Sequence, residues 1–141
     1  MKETILEKNN HLPYSLYDMR VNEIQINEDD IIFIFENGYI KMEEPYAQFE
    51  GTIIIKNVDY DFCSVHLLSR NGYYGRFNGK KLDIKEFVRE FKQYSFEIVD
   101  ELYGLNQVQY SGYLSLPDKE DVIACSMDLY YIGDLIYITK E

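Results

Sequence analysis

The feature that most constrains this chain is a period-two alternation of apolar and polar residues, repeated between turn residues along most of its length. In residues 107–116, the apolar side chains Val108, Tyr110 and Leu114 alternate with mostly polar ones. Successive side chains of a β-strand point to opposite faces, so a strand with one buried face shows this period. Strand-like runs do not alternate with helical ones, which disfavours a parallel α/β fold. The pattern therefore predicts an antiparallel β protein.

Asn-Gly pairs between apolar runs predict hairpins, because both residues tolerate the positive φ angles of a type I′ turn. The first such pair lies at 37–38. Around it, residues 20–44 predict a three-stranded antiparallel meander. Near the end of the sequence, residues 122–131 and 135–139 predict a last hairpin.

The one convincing helix spans residues 83–92. Ile84, Phe87 and Phe91 fall at positions i, i+3 and i+7 and form a single apolar stripe. Asp83 is a favoured N-cap residue, because its carboxylate accepts a hydrogen bond from an otherwise free backbone N–H group. A helix this short depends on packing against the sheet, so we expect its phenylalanines in the core.

Length and composition fit one domain over residues 1–141, since 141 residues is a common domain size. Apolar residues make up 46% of the chain, which is enough for a packed core. Residues 1–12 show no sustained period and predict a loosely ordered arm. The predicted fold class is mainly β, an antiparallel β-sandwich or partly open barrel of about nine strands with one packed α-helix (83–92).

The charge balance disfavours several classes of partner. The chain has 25 Asp and Glu against 14 Lys and Arg, a net charge of −11. Nucleic acids and anionic membranes attract basic surfaces, so we expect neither as a partner. The longest apolar run, 31–35, is far shorter than the roughly 20 residues that span a bilayer, and no signal-peptide pattern is present. We therefore expect a cytoplasmic protein.

Residues that carry chemistry are few and scattered. Cys63 and Cys125 belong to no CxxC pair, so we expect both to be reduced and buried. His66 is three positions from Cys63 and points to the opposite face of a strand, which excludes a local Cys–His dyad. The Asp-x-Asp sequence at 59–61 lacks the glycine and further acids of a calcium loop and predicts a turn. We expect no catalytic residues, no cofactor and no bound metal.

Two segments carry a family resemblance. The sequence LYDMRV at 16–21, followed by a strand–turn–strand and by NGY at 37–39, resembles the opening of small uncharacterised bacterial β-rich proteins. Residues 129–137 share this likeness. Some of these bacterial proteins are similar to immunity proteins of toxin systems. Tyr17 stands where a histidine often precedes the aspartate, so no role of that histidine carries over. The resemblance implies a compact, non-enzymatic protein that binds another protein.

Three functions are open at this point. The leading hypothesis is a non-enzymatic protein-binding module, such as an immunity-type inhibitor of a basic toxin or of another basic partner. It predicts an acidic surface with exposed tyrosines, because tyrosine is favoured at interfaces. The alternative is a small-ligand-binding β-barrel, which predicts an enclosed pocket lined by some of the 14 tyrosines. The third is an enzyme that uses a pair of carboxylates.

The candidate binding site is an acidic rim that depends on the predicted meander. Alternate connections of a meander lie at the same end of the sheet, so the turn at 28–30 would lie beside the end of the third strand at 43–44. Carboxylates gathered in this way repel one another unless a cation or a basic partner lies among them. A basic protein partner, a weak Ca²⁺ site and a solvated rim that only aids solubility are all open. The predicted site residues are Glu28, Asp29, Asp30, Glu43, Glu44 and Tyr46.

A second candidate patch lies in the one basic stretch of the chain. Residues 70–92 carry seven Lys and Arg against three Asp and Glu, with aromatic residues among them. Such interleaving is typical of surfaces that bind single-stranded nucleic acid. The acidic remainder of the chain would repel a polyanion, so a solvated face or a protein contact fits better. The patch consists of Tyr73, Tyr74, Arg76 and Phe77.

Overall fold

Most of the alternating segments form strands of one large antiparallel sheet. The structure, a computed structural model, describes residues 1–8, 11–68, 79–117 and 122–141. The described residues form thirteen strands, one α-helix and one 3-10 turn. These are β1 (Lys2–Ile5), β2 (Tyr14–Ser15), β3 (Arg20–Asn27), β4 (Asp30–Phe35), β5 (Tyr39–Lys41), β6 (Gln48–Phe49), β7 (Gly51–Ile55), the 3-10 turn (Tyr60–Phe62), β8 (Ser64–Leu68), β9 (Gly79–Asp83), α1 (Ile84–Glu90), β10 (Ser95–Gly104), β11 (Gln107–Ser115), β12 (Val122–Tyr130) and β13 (Leu135–Thr139).

Ten of these strands form one sheet in the order β1-β13-β7-β4-β3-β10-β11-β12-β8-β9. Three short strands form a second sheet in the order β2-β5-β6. Within the described residues the large sheet is not closed into a barrel, since β1 and β9 are its two edges. The predicted fold class, mainly antiparallel β and partly open with one helix, is confirmed. The strands outnumber the predicted nine in part because β2 and β6 are only two residues long.

The alternation that predicts the strands is also the alternation of burial. Along β4, Ile31, Phe33 and Phe35 are buried, and the residues between them are half-buried. Along β11, Val108 and Tyr110 are fully buried in the same core. Each such side chain contributes about 1.5–3 kcal/mol by leaving water. A shift of register by one residue would expose the whole set, so the hydrophobic pattern determines the register of these strands.

The predicted meander over residues 20–44 is only partly correct. β3 and β4 form the expected hairpin, but β5 pairs with β2 and β6 in the small sheet, and β7 takes the place beside β4. Gly38 allows this change of sheet, because its φ is +72° and a Cβ there would lie 1.6 Å from the Phe49 carbonyl oxygen. Only glycine fits so close a passage of two backbones. The Asn-Gly pair therefore connects two sheets and does not form a hairpin within one.

Three buried tyrosines join the small sheet to the large one. The ring of Tyr14 lies 5.2 Å from that of Tyr39 and 5.1 Å from that of Tyr137. The Tyr39 hydroxyl donates to the Thr52 carbonyl oxygen at 2.6 Å, which satisfies it within the core. Aromatic pairs at these distances add about 0.5–1.5 kcal/mol beyond the area they bury. These tyrosines are structural residues of the interior.

The helix α1 forms where its apolar stripe and cap predict it. The Asp83 Oδ1 atom accepts a hydrogen bond from the Lys85 backbone N–H at 2.8 Å, so Asp83 is the N-cap. Ile84, Phe87 and Phe91 are buried in the main core, and α1 contacts β3, β8 and β9. The prediction of one short helix that packs on the sheet is confirmed.

Near the two chain ends, the pairing differs from the prediction. Residues 2–5, predicted as part of a loosely ordered arm, form β1 along β13. The predicted hairpin between β12 and β13 is wrong, because β12 pairs with β11 and β8 whereas β13 pairs with β1 and β7. Backbone hydrogen bonds hold the intervening loop away from β12. The Ile132 N–H donates to the Asn57 carbonyl oxygen at 2.9 Å, and the Gly133 N–H donates to the Lys56 carbonyl oxygen at 3.1 Å.

Candidate functional site

Several connections of the chain meet at one end of the ten-stranded sheet. Ile55 at the end of β7 lies opposite both Ile31 at the start of β4 and Leu135 at the start of β13. A β-bridge joins Val58 to Tyr131, whose N–H donates to the Asn106 carbonyl oxygen at 3.0 Å. The turns after β3 and β10 and the loops after β7 and β12 are therefore neighbours. We call this surface the acidic end; it comprises residues 28–30, 56–62, 105–106 and 130–134.

The acidic end carries six carboxylates. Asp30 is neutralised by Lys56, whose Nζ lies 3.0 Å from Oδ2, and it also accepts from the Asn57 N–H. Asp29, Asp59 and Asp61 make no ion pair within 4.0 Å among the residues that the structure describes. Negative charge therefore remains uncompensated on this surface. The six residues are Glu28, Asp29, Asp30, Asp59, Asp61 and Asp134.

Part of the acidic end forms a concavity of about 400 Å³, with Tyr60 in its wall. The Tyr60 hydroxyl donates to the Glu28 carbonyl oxygen at 2.7 Å. Burial, and then the charges of Asp29 and Asp30, raise the pKa of Tyr60 to about 12, so this hydroxyl keeps its proton. The Lys85 Nζ lies 4.4 Å from the centroid of the Tyr60 ring, which is a cation–π contact. The concavity thus already holds an ammonium group against an aromatic ring. Its wall is formed by Asp29, Asn57, Val58, Asp59, Tyr60, Asp61, Lys85 and Ile132.

Large apolar side chains stand exposed among these acids. Phe62 is 69% exposed and Ile132 is 75% exposed. The Phe62 ring lies 6.1 Å from that of Tyr130, which is also exposed. Leu105 in the neighbouring turn is 72% exposed. Exposed apolar groups that cluster beside charges are typical of interaction surfaces, whereas single exposed ones need no explanation.

A second cleft of about 290 Å³ adjoins the acidic end. Tyr103 and Tyr131 line it, together with the charged residues Asp134 and Lys8. The Lys8 Nζ donates to the Asn106 Oδ1 at 3.3 Å, which ties the segment after β1 to the turn after β10. This cleft is the nearest equivalent of the tyrosine-lined pocket that the small-ligand hypothesis predicts. It is lined by Leu6, Glu7, Lys8, Leu12, Tyr103, Gly104, Leu105, Tyr131, Gly133, Asp134 and Leu135.

An internal chain of hydrogen bonds holds Tyr103 in this wall. The Tyr103 hydroxyl donates to Glu101 Oε1 at 2.5 Å, and Glu101 Oε2 accepts from the Leu16 N–H at 2.8 Å. Burial raises the pKa of Glu101, although the hydrogen bonds from Tyr103 and Leu16 counteract part of that rise. The Tyr137 hydroxyl lies 3.5 Å from that of Tyr103. The Tyr103 proton is therefore engaged inside the protein and not offered to the cleft.

The structure separates the predicted site residues into two groups. Glu28, Asp29 and Asp30 lie at the acidic end, as the β3–β4 hairpin requires. Glu43 lies in a different concavity, beside Tyr14 and the strand β1. Glu44 and Tyr46 follow β5, which belongs to the small sheet and does not return along β4. The premise that joins residues 43–46 to residues 28–30 is therefore wrong. Whether either group binds a partner stays a prediction.

The second predicted patch, Tyr73, Tyr74, Arg76 and Phe77, lies outside the described residues.

Sequence reasoning missed most of the acidic end. The turn predicted at 59–61 is confirmed as a 3-10 turn, but nothing in the sequence places it beside residues 28–30. Phe62 and Ile132 also escape notice, because a strand pattern gives no sign that an apolar residue next to it is exposed. Only the pairing of β4, β7 and β13 brings these residues together. The weak signal that was available is that each lies next to a turn residue, since Asp61 precedes Phe62 and Gly133 follows Ile132.

Other chemistry is sparse in the described part of the chain. Cys63 and Cys125 are free and buried, as predicted. Burial raises the pKa of both thiols, to about 12 for Cys125. No group of three or more His, Cys, Asp or Glu side chains among the described residues is placed to hold a metal ion. None of the described helices is long and apolar enough to cross a membrane.

Comparison with known proteins adds no relative. The chain matches no protein-family model, no curated protein sequence and no solved structure at a significant level. The resemblance to immunity-type bacterial proteins therefore stays a hypothesis, and the argument for function depends on the surface itself.

Proposed function

We propose that this protein is a non-enzymatic binding module for a basic protein, and that it docks through the acidic end. The observation that carries the proposal is that Asp29, Asp59 and Asp61, none in an ion pair within the described residues, line one concavity together with the exposed side chain of Ile132. The exposed Phe62 follows Asp61 directly in the chain. An interface of this composition has apolar residues to be buried and acids to select the partner by charge.

The partner that fits this surface presents Lys or Arg around an apolar centre. Its cations would pair with the aspartates, and its apolar groups would cover Phe62 and Ile132. Complementary charge mainly accelerates association and rejects acidic competitors. An immunity-type inhibitor of a basic toxin needs both properties, since it must capture its target quickly and selectively. The cation–π contact of Lys85 with Tyr60 supports the proposal, because it shows that a lysine side chain of the protein itself already packs in this concavity.

The experiment compares two charge-reversal variants that carry the same change of net charge. The partner is first identified by affinity capture and mass spectrometry, and its association rate is then measured over a range of salt concentrations. Asp29→Lys with Asp61→Lys changes the acidic end. Glu43→Lys with Glu44→Lys changes the second predicted group, whose residues are also exposed.

The acidic-end variant should associate about tenfold or more slowly at low salt and should show a weaker salt dependence. At 0.1 M salt the control variant should stay within about twofold of the wild type, since screening confines surface charges to a range of about 10 Å at that concentration. Equal slowing of both variants would mean that only net charge matters. Slowing of the control alone would assign the site to residues 43–44.

A further inference from the structure

The apolar cleft and the acidic concavity share one wall. The loop after β12 presents Ile132 to the concavity, whereas Tyr131, Gly133 and Asp134 of the same loop line the cleft. Leu105, which is 72% exposed, stands at the edge of the cleft. A partner that covers Ile132 would therefore contact a loop that also lines the cleft.

We infer that the cleft receives one aliphatic or aromatic side chain of the basic partner, as the anchor of the interface. This inference rests on the proposed function. A few apolar residues inserted into preformed pockets carry most of the binding energy in many interfaces, with charged residues around them. The cleft and the surrounding aspartates reproduce that arrangement.

The lining selects an apolar group. The leucine side chains of residues 6, 12 and 135 and the Tyr103 ring form much of the wall. The Tyr103 hydroxyl donates its proton inward to Glu101, so a polar group in the cleft would gain no hydrogen bond from it. An unpaired polar group would lose its hydration on entering and gain no hydrogen bond from Tyr103 in return.

The charge around the cleft selects the neighbours of that apolar group. Glu7 and Asp134 lie in the lining together with one cation, Lys8, whose Nζ donates to Asn106. The acidic end, with its six carboxylates, adjoins the cleft, so the surface around the cleft is negatively charged. An apolar residue flanked by Lys or Arg matches this charge, whereas one flanked by acids is repelled. Because Leu105 and Ile132 would remain exposed beside a small molecule, a protein segment accounts for more of the surface than a free ligand does.

The test uses three capped pentapeptides as probes of the full-length protein. The first has leucine between two pairs of lysines, the second has alanine in place of that leucine, and the third has leucine between two pairs of glutamates. Binding is followed by NMR through the methyl groups of Leu6, Leu12 and Leu135. Leu105→Ser removes apolar surface from the cleft. Leu102→Ser is its control, since Leu102 is 56% exposed and lies outside the cleft.

The lysine–leucine peptide should bind about 15- to 60-fold more tightly than the alanine peptide, because leucine buries about two or three more methylene-sized groups than alanine. It should shift the three leucine methyl signals, and Leu105→Ser should remove most of the difference while Leu102→Ser preserves it. Equal binding of the leucine and alanine peptides would overturn the anchor and leave the proposed function intact. Equal binding of the lysine and glutamate peptides would contradict the proposed function instead. Isopentanol shifting the same methyl signals as strongly at equal concentration would make the cleft a small-ligand site and would also overturn the anchor.

Discussion

Glu141 connects three parts of the chain through one carboxylate. Its oxygens accept hydrogen bonds from Tyr14 at 2.5 Å, from Lys41 at 2.8 Å and from Thr139, and the Lys2 Nζ lies 3.9 Å away. Burial alone would raise the pKa of Glu141, but these hydrogen bonds and Lys2 lower it to about 2. The side chain thus links the small sheet to β1 and β13.

Replacing this carboxylate should destabilise the protein in a pH-dependent way. A lowered folded pKa means stability that is present above the usual pKa of 4.5 and lost as pH falls toward about 2. Glu141→Gln should therefore cost about 1–2 kcal/mol at neutral pH, and the difference should shrink below about pH 4.5. Urea unfolding from neutral to acidic pH measures it. Glu50→Gln, at an exposed ion pair with Lys140, is the control and should have a smaller effect.

Glu101 should give the opposite dependence of stability on pH. Burial raises its pKa above 4.5 in the folded protein, so its contribution to stability is greatest below that value and is lost as pH rises through the raised pKa. Glu101→Gln keeps a neutral group in this position. The free energy of unfolding of this variant, minus that of the wild type, should therefore increase between about pH 4 and pH 7, because only the wild type loses stability as the pH rises. A difference that does not change with pH would contradict this assignment.

At the scale of elements, the helix offers the sharpest test of packing. Phe87 is fully buried, and its ring lies 5.5 Å from that of Phe91. Phe87→Ala should lower the free energy of unfolding by about 3–5 kcal/mol, because it leaves a cavity under α1. Glu90→Ala on the exposed side of the same helix should change it by no more than about 0.5 kcal/mol. A loss below about 1 kcal/mol for Phe87→Ala, measured by chemical denaturation, would show that the helix does not rest on the core.

Local signals predicted the elements that depend on local physics. The apolar stripe and the Asp83 cap place α1 to within two residues, because both act within the helix itself. The alternation of apolar residues in β4 and β11 also gives the strands directly. Such local signals do not determine which strands pair. The Asn-Gly pair at 37–38 is compatible with a hairpin, and its true role depends on the Phe49 backbone, eleven residues away.

The candidate site was predictable only where one hairpin contains it. Asp29 and Asp30 lie in a turn that the sequence identifies, so their proximity to each other follows from local sequence alone. Asp29 and Asp30 come close to Asp59, Phe62 and Ile132 only because β7 lies beside β4 and β13 lies beside β7. Such long-range pairings depend on the total burial of all ten strands, which no single segment encodes.

At the scale of the whole molecule, the net charge of −11 should make stability depend on salt. Lys140–Glu50 is an ion pair with both side chains exposed, and in Lys56–Asp30 the lysine is exposed; such pairs add little. Repulsion among the excess carboxylates should therefore outweigh the attraction within ion pairs. Raising NaCl from about 10 mM to about 100 mM shortens the screening length from about 30 Å to about 10 Å. We expect a gain of about 0.5–1 kcal/mol, which corresponds to a rise in Tm of about 2–4 °C.

The charge-reversal variants locate that repulsion. If the acids at the acidic end are its main source, Asp29→Lys with Asp61→Lys should melt at a higher temperature than the wild type at low salt and should respond less to added NaCl. Glu43→Lys with Glu44→Lys adds the same positive charge elsewhere and should keep more of the salt response. Differential scanning fluorimetry in NaCl, with KCl as a check on ion identity, measures both. A Tm that falls as salt is added would show that attractive pairs outweigh repulsion, and the acidic end would then lose its energetic reason to recruit a basic partner.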